Sequence, residues 1–383
     1  MKKSLWKRIK NRIAYEIDRF RNERAVDIVP LRIDDIGVYA NRKDIRIEKI
    51  LWEENIDFAP ICVQEQANFQ KNFASFISRY EAVFLDSTNP KFSFRHNHLL
   101  DDQNRVIYEP DWDFKHLPIS NKFLPKPKKL KGTIAYLSNS GANHFGHWFH
   151  YTLTFLPVYW QFVKKEDIDY YYIGDCAISV FHIDSLVALG IDPSKIINYP
   201  CQADRSLMVV KHKLEAPDNG RFKYIDSFTF RFCRQLIKPE IKPEYPKKIY
   251  VKRGKVQMRQ VVNEDQLIDF LKRLGFEILV MDGKNLQEQA NYFANATQIV
   301  APHGSALANL AFAQKGVTVL ELFPFNYPDV TNFSFAACLQ ANYGYHIGDI
   351  VYGKKHINSA NFYADILVNM PKMKELAEKL GIR

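Results

Sequence analysis

The sequence predicts an α/β protein with a parallel, Rossmann-like sheet in its C-terminal part. Three observations predict it. From residue 248 on, short β-type runs alternate with amphipathic helical patterns, the arrangement of βαβ units. At 383 residues, with 46% hydrophobic and 25% charged side chains, the chain has the ordinary composition of a packed protein of two or three domains. That composition excludes the disordered, collagenous and low-complexity classes. No apolar run nears the roughly 18 residues of a spanning helix, and none follows the charged N-terminus as in a signal peptide.

In chain order, residues 4–21 place Leu5, Trp6, Ile9, Ile13, Ile17 and Phe20 at helical spacing. The first 25 residues carry nine basic groups against Glu16, Asp18 and Glu23, so +6 of the net +10 sits here and +4 on the other 358 residues. Nucleic-acid binding over the whole surface is therefore disfavoured. This basic amphipathic N-terminal helix (1–25) either lies on an anionic membrane surface or packs on its own protein with its charges solvated. Vesicle binding that fades with salt distinguishes the two.

Residues 26–237 form the first domain, with β-type runs at 133–137 and 169–173 and helical patterns at 146–163 and 179–189. The segment 238–248, KPEIKPEYPKK, reads as an extended linker because proline and its preceding residue disfavour helix. The second domain, 249–353, opens on the strand 248–253. A helix then starts after Asn263 and stops at Gly275. Strand 276–281, helix 286–296, strand 297–302, a helix within 303–313 and strand 317–323 follow, and residues 354–383 form a helical tail. Cys62, Cys176, Cys201, Cys233 and Cys338 are scattered, odd in number and without a CxxC pair. They read as buried thiols of a reducing compartment.

In an open α/β sheet ligands bind beyond the carboxyl ends of the strands. There the sequence places Arg253, then His303, Gly304 and Ser305 at the start of a helix, and Glu321. A helix N-terminus and an arginine suit phosphate, and a carboxylate suits the two ribose hydroxyls. No GxGxxG or P-loop pattern is present. The triplets Asp111–Trp112–Asp113 and Asp167–Ile168–Asp169 are of a kind that holds a metal with substrate phosphates, yet they recur by chance among 43 acids.

A second constellation is SGANHFGHWFHYTLTFLP, residues 140–157, which gathers Asn143, His144, His147 and His150. Zinc would need a carboxylate or cysteine that is not nearby. A general base needs only one positioned imidazole, and aromatic packing at a domain interface is the plainer alternative.

RGK at 253–255, Arg259, NED at 263–265, GF at 275–276, EQ at 288–289, PHGSALAN at 302–309 and VLELFP at 319–324 resemble glycosyltransferase family 61 over roughly residues 130–325. Its bacterial members are often labelled capsular polysaccharide biosynthesis proteins. The resemblance implies a GT-B-like fold, two Rossmann-like domains facing a cleft, and inverting transfer from a nucleotide sugar with no metal or other cofactor required. Carried onto this chain, it implies donor binding by Arg253, Arg259, His303, Gly304, Ser305, Ala306, Asn309 and Glu321. Asn143, His144 and Trp148 belong to the acceptor side, with His147 as base and His150 in reserve. One position departs: Tyr151 stands where the family carries Asp or Glu, so a base acting without that carboxylate is expected. The implied role is synthesis of a bacterial surface glycan (capsule, lipopolysaccharide or exopolysaccharide) in the cytoplasm, peripheral to the inner membrane face. A saccharide or lipid-linked glycan is then the acceptor, and residues 2–24 contact the anionic surface. A nucleotide-sugar epimerase of the same fold and a non-catalytic membrane-attached scaffold are the alternatives.

Overall fold

The computed structural model describes residues 23–24, 27–30, 39, 41–56, 58, 60–61, 76–95, 98–108, 123–124, 126–139, 141–175, 177–212, 214–215, 223–256, 258–327, 329–350 and 364–383. Glu23–Arg24, at the end of the expected helix over 1–25, instead form a short strand paired with Phe123–Leu124, and the rest of that helix, the Asp111–Asp113 triplet, Cys62, Cys176 and residues 354–363 lie outside the described residues. No helix among the described residues is long and apolar enough to cross a membrane.

The first sheet has six strands: β1 (Ile45–Ile56), β2 (Phe76–Ser87), β3 (Thr133–Tyr136), β4 (Tyr170–Tyr172), β5 (Ile196–Ile197) and β6 (Arg205–His212). Their order is β5-β4-β3-β6-β2-β1. The first four in that order run parallel, and β2 and β1 continue antiparallel. Thr133–Tyr136 is buried throughout, as a parallel strand covered on both faces should be. A second six-stranded sheet, from short strands between Asp27 and Gln202, includes Ser93–Arg95 and Lys128–Lys129.

The helical pattern at 146–163 is not one helix. It divides into α1 (Phe145–His147), a π-helical turn (Trp148–Thr152) and α2 (Phe155–Phe162). The Leu153 N–H donates to the Trp148 carbonyl at 2.9 Å, the i→i+5 bond of a wide turn. Such turns change which side chains share a face. Next come α3 (Val180–Ala188) and α4 (Ser227–Gln235), the latter capped by Asp226, which accepts from Thr229 N–H at 2.6 Å.

The second half reads as the sequence predicts as far as strand 317–323; the sequence reading does not predict the helix and strand that follow it. Strands β7 (Lys248–Lys252), β8 (Glu277–Val280), β9 (Gln298–Pro302), β10 (Thr318–Phe323) and β11 (Asn342–Ile347) are all parallel, in the order β8-β7-β9-β10-β11. The crossovers are α5 (Glu264–Arg273), α6 (Leu286–Asn295), a 3₁₀ segment (Ser305–Phe312) and α7 (Thr331–Cys338), and α8 (Met370–Lys379) ends the chain. The expected helix in 303–313 is thus wound more tightly, beginning with Leu307 N–H on the Gly304 carbonyl at 3.1 Å.

Period-2 alternation gives the inner strands two buried faces, while the edge strand β8 exposes Glu277 and Val280. Tyr250, Val300, Leu320 and Leu322 pack with Leu267 and Leu271 of α5 and Met373, Leu376 and Leu380 around α8. Ile249, Val251, Ile299, Ala301, Val319 and Phe323 join a core that runs on through α6, α7 and the first half, to Trp148 and Phe149. The 238–248 segment is free of helix, turns at Lys242–Tyr245 and is strapped to α6. Glu240 N–H donates to Asn291 Oδ1 at 2.8 Å, Lys242 N–H to Asn295 Oδ1 at 3.0 Å, and Asn295 Nδ2 to the Glu240 carbonyl at 2.6 Å. These side chains satisfy backbone groups that no sheet partner reaches.

Candidate active site

The order β8-β7-β9-β10-β11 is 2-1-3-4-5 in chain sequence, so the winding direction reverses between β7 and β9. The carboxyl-end crevice at such a reversal is where doubly wound sheets bind ligands. Arg253 follows β7 there and His303 follows β9, and Arg253 Nη1 donates to the His303 carbonyl at 3.3 Å. Gly304 is extended (φ 170°), so its requirement is space rather than conformation. A Cβ on it would stand 1.8 Å from Arg253 Nη1. Arg259 is held at φ 56°, a left-handed backbone unfavourable for a bulky residue, with its guanidinium 5.9 Å from the Tyr327 ring.

These two arginines are mostly buried cations without carboxylates. Neither forms an ion pair among the described residues, and the Nε of each has no hydrogen-bond partner. Burial pushes the Arg253 guanidinium down to about 10, with the charge of Arg259 adding and Asp282 opposing. Burial also lowers Arg259, against Tyr327, Asp329 and Glu321. Two cations with open donors favour an incoming anion.

Glu321 does not offer itself to a ribose, as the sequence suggested. It is wholly buried, and both its oxygens are occupied. His303 Nδ1 lies 2.6 Å from Oε1, Asn332 Nδ2 donates to Oε1 at 2.8 Å, and the Tyr343 hydroxyl donates to Oε2 at 2.8 Å. The His303 ring stacks on Phe323 at 5.1 Å and meets Tyr327 edge-on at 5.9 Å. Asp329 accepts from Thr331 N–H at 2.7 Å and from the Tyr327 hydroxyl at 3.1 Å. Burial raises that carboxyl, but His303 and the Thr331 hydrogen bonds leave it net below its ordinary value.

The histidine cluster arrives from the other half. Gly146 of α1 abuts the start of the 3₁₀ segment so closely that a Cβ would stand 3.2 Å from Ser305 Oγ. His147, beside it, is half-buried, 5.5 Å from the Tyr151 ring and 5.9 Å from His144. Asn143 and His144 are exposed. His150 is buried, with its ring edge-on to Phe335 at 4.8 Å. Burial drives its imidazole down to about 3, with His147, Lys211 and His303 adding and Asp329 opposing. This corrects its standing as reserve base, because an imidazole so hard to protonate is a poor proton acceptor.

Two more expectations are corrected. Trp148 is core rather than acceptor side: it is fully buried, donates Nε1 to Ser185 Oγ at 2.9 Å and meets the His182 ring at 4.5 Å. Asn309 is a buried tie rather than a donor contact, its Nδ2 donating to Gln289 Oε1 at 2.8 Å and to the Ala306 carbonyl at 3.0 Å. Asp169 accepts from Thr133 N–H at 2.8 Å, and no three His, Cys, Asp or Glu side chains gather as a metal set among the described residues. Sequence reasoning missed Tyr327, Asp329, Asn332 and Tyr343. Asn332 and Tyr343 lie in runs, TNFSFAAC and NYGYHI, that carry only a core signal.

Three buried histidines predict acid sensitivity. His150 is depressed to about 3 and His346 to about 4, and His182 is lowered, each chiefly by burial. His346 Nε2 accepts from Asn369 N–H and His182 Nδ1 from Ser179 N–H, bonds that need unprotonated nitrogens. The folded state binds fewer protons than the unfolded one, so the stability is fully present above about pH 6.5 and is lost as pH falls. Each histidine adds a slope of up to about 1.4 kcal/mol per pH unit between its unfolded and folded values. Urea melts from pH 7.5 to 4.5 should therefore move steadily to lower midpoint, less steeply in His150→Phe. Midpoints that stay flat to pH 5 would refute this.

Fold and site together define an α/β protein with two buried arginines at a strand-order reversal. Residues 145–320, a little under half of the chain, match the model of the family Glycosyltransferase 61. That stretch, which holds His147, Arg253, Arg259 and His303, is similar to glycosyltransferase 61 sequences. No curated protein matches the chain.

Proposed function

We propose that this protein transfers a sugar, with inversion, from a nucleotide sugar to a hydroxyl of a saccharide or lipid-linked glycan. The observation that carries the reading is the pair of unneutralised arginines, Arg253 and Arg259, beside the Gly304–Ser305 turn at the reversal of the sheet. The donor's diphosphate sits there. The acceptor oxygen attacks the anomeric carbon as the bond to the diphosphate breaks, and the proton passes to His147. Arg253, Arg259 and the first N–H groups of the 3₁₀ segment receive the negative charge that develops on the leaving group. A half built on a mixed sheet and a half built on a parallel sheet meet at α1 and Ser305, and this supports a GT-B-like arrangement. The family match and the basic N-terminal segment support a bacterial surface-glycan role, on the cytoplasmic side and against an anionic membrane.

Thermal-shift measurements against UDP, GDP, CMP and their sugars test the reading. A ligand at 100 times its dissociation constant should stabilise by about 2.7 kcal/mol. Transfer to a saccharide should then survive EDTA, because the cations named above serve the leaving group. Activity lost to EDTA and restored by manganese would replace this with a metal-assisted mechanism. Epimerised donor without an acceptor would make the protein an epimerase, and binding without turnover a scaffold.

A further inference from the structure

Glu321 is a wholly buried carboxylate with three hydrogen-bond partners, and it lies behind the site rather than in it. It comes from the middle of β10, level with Ala301 of β9 and Tyr345 of β11, and is entirely shielded from solvent. No lysine or arginine pairs with it among the described residues, and its one ion-pair partner is His303. A carboxylate only accepts hydrogen bonds, so the 2.6 Å contact requires the hydrogen on His303 Nδ1. Asn332, in the first turn of α7, donates to the same Oε1 and Tyr343, at the start of β11, to Oε2, so two further elements hold the carboxylate. Among the described residues, His303 Nε2 has no hydrogen-bond partner. The backbone of the same residue holds Arg253, so this ring nitrogen belongs to the turn that faces the anion.

We propose that Glu321, Asn332 and Tyr343 form one positioning unit that fixes His303 with Nδ1–H inward, leaving Nε2 as the ring nitrogen that meets the substrate. It rests on the reading that the donor diphosphate sits at Gly304. The logic is that of a buried carboxylate behind an imidazole: it selects one tautomer and one ring orientation, and the wrong tautomer is inactive even when the geometry survives. Asn332 and Tyr343 keep the carboxylate aimed, since an acceptor with a missing donor swings or draws in water. Tyr343 suits this task. Burial, followed by the charge of Glu321, raises its phenol far above the ordinary range, so it remains a donor. Its ring is wedged against Phe333 at 5.6 Å and Phe58 at 6.4 Å, which fixes where the hydroxyl points.

The test uses the full chain carrying ¹⁵N-histidine, with the His303 signal assigned from His303→Gln. Spectra are taken without substrate at pH 9. The wild type should show the Nδ1–H tautomer. Tyr343→Phe, Asn332→Leu and Glu321→Gln should each shift it toward the Nε2–H form that water favours. In the same variants kcat should fall roughly 10- to 100-fold, as when other orienting partners are removed, with donor KM little changed. A lowered melting temperature with tautomer and kcat unchanged would show the network to be structural cement and overturn the proposal. A shifted tautomer with unchanged kcat would overturn it equally. The spectra need no ligand, so if the wild type binds no nucleotide the functional reading fails while the tautomer result still decides whether the unit fixes His303.

Discussion

Gly304→Ala is expected to weaken nucleotide binding as much as Arg253→Ala does, without adding any charge or removing any donor. The new Cβ would overlap Arg253 Nη1 at 1.8 Å. The backbone accepts alanine at this extended φ, so the conflict is purely one of space. It is resolved at the far end of a flexible side chain: the guanidinium swings away, losing its bond to the His303 carbonyl. Losing one charge-assisted contact to phosphate should cost about 1.5–3 kcal/mol, or roughly 10- to 150-fold in affinity. The double variant should be little worse than either single one, because both remove the same interaction. Calorimetric titration of whichever nucleotide gives the largest thermal shift checks this. Unchanged affinity in both folded single variants would move the donor site elsewhere.

The other large effect concerns the base. His147→Ala should lower turnover by about 10²–10⁴-fold with donor affinity preserved. Gly141→Ala should approach the same loss at a distance, since a Cβ there would stand 2.5 Å from His147 Nδ1 and 2.7 Å from Cγ. The loop cannot simply retreat. The next residue's carbonyl is held by His182 Nε2 at 2.9 Å, and Gly141 N–H is bonded to Asn139 Oδ1 at 2.7 Å. The imidazole must therefore turn. His150→Phe, by contrast, should leave the pH–rate profile in place, because that ring stays neutral down to about pH 3. If His147→Ala keeps wild-type turnover, the proton goes to another group and the cluster serves packing or acceptor contact.

Much of the second half was legible along the chain. The alternation of strand and helix patterns from 248 to 323 placed β7 to β10, α5 and α6 to within a residue or two, because those signals are local periodicities and caps. Arg253 and His303 could be put at one sheet edge by the same logic, since they directly follow parallel strands. The first half was less legible. Its longest strands, β1 and β2, pair over residues 45–56 and 76–87 and are then joined to β6 more than a hundred residues later. No local window contains that register.

What the sequence determined by itself is therefore the α/β class, the parallel second sheet and the residues at its binding edge. All of these follow from side-chain periods of two and 3.6 acting over a dozen residues. What only the tertiary structure decided is what each polar group does. Glu321 has the same strand-end address as a ribose ligand, but Asn332 and Tyr343, from 11 and 22 residues downstream, close over it and turn it toward His303. His147 and His150, three apart, would share a face on an ordinary helix. The π-helical turn that starts at Trp148 leaves one half-buried at the site and buries the other, and burial, more than its charged neighbours, makes the second too weak a base. Hydrogen-bond saturation and desolvation depend on every neighbour at once, and neighbours are assembled by packing rather than by position in the chain.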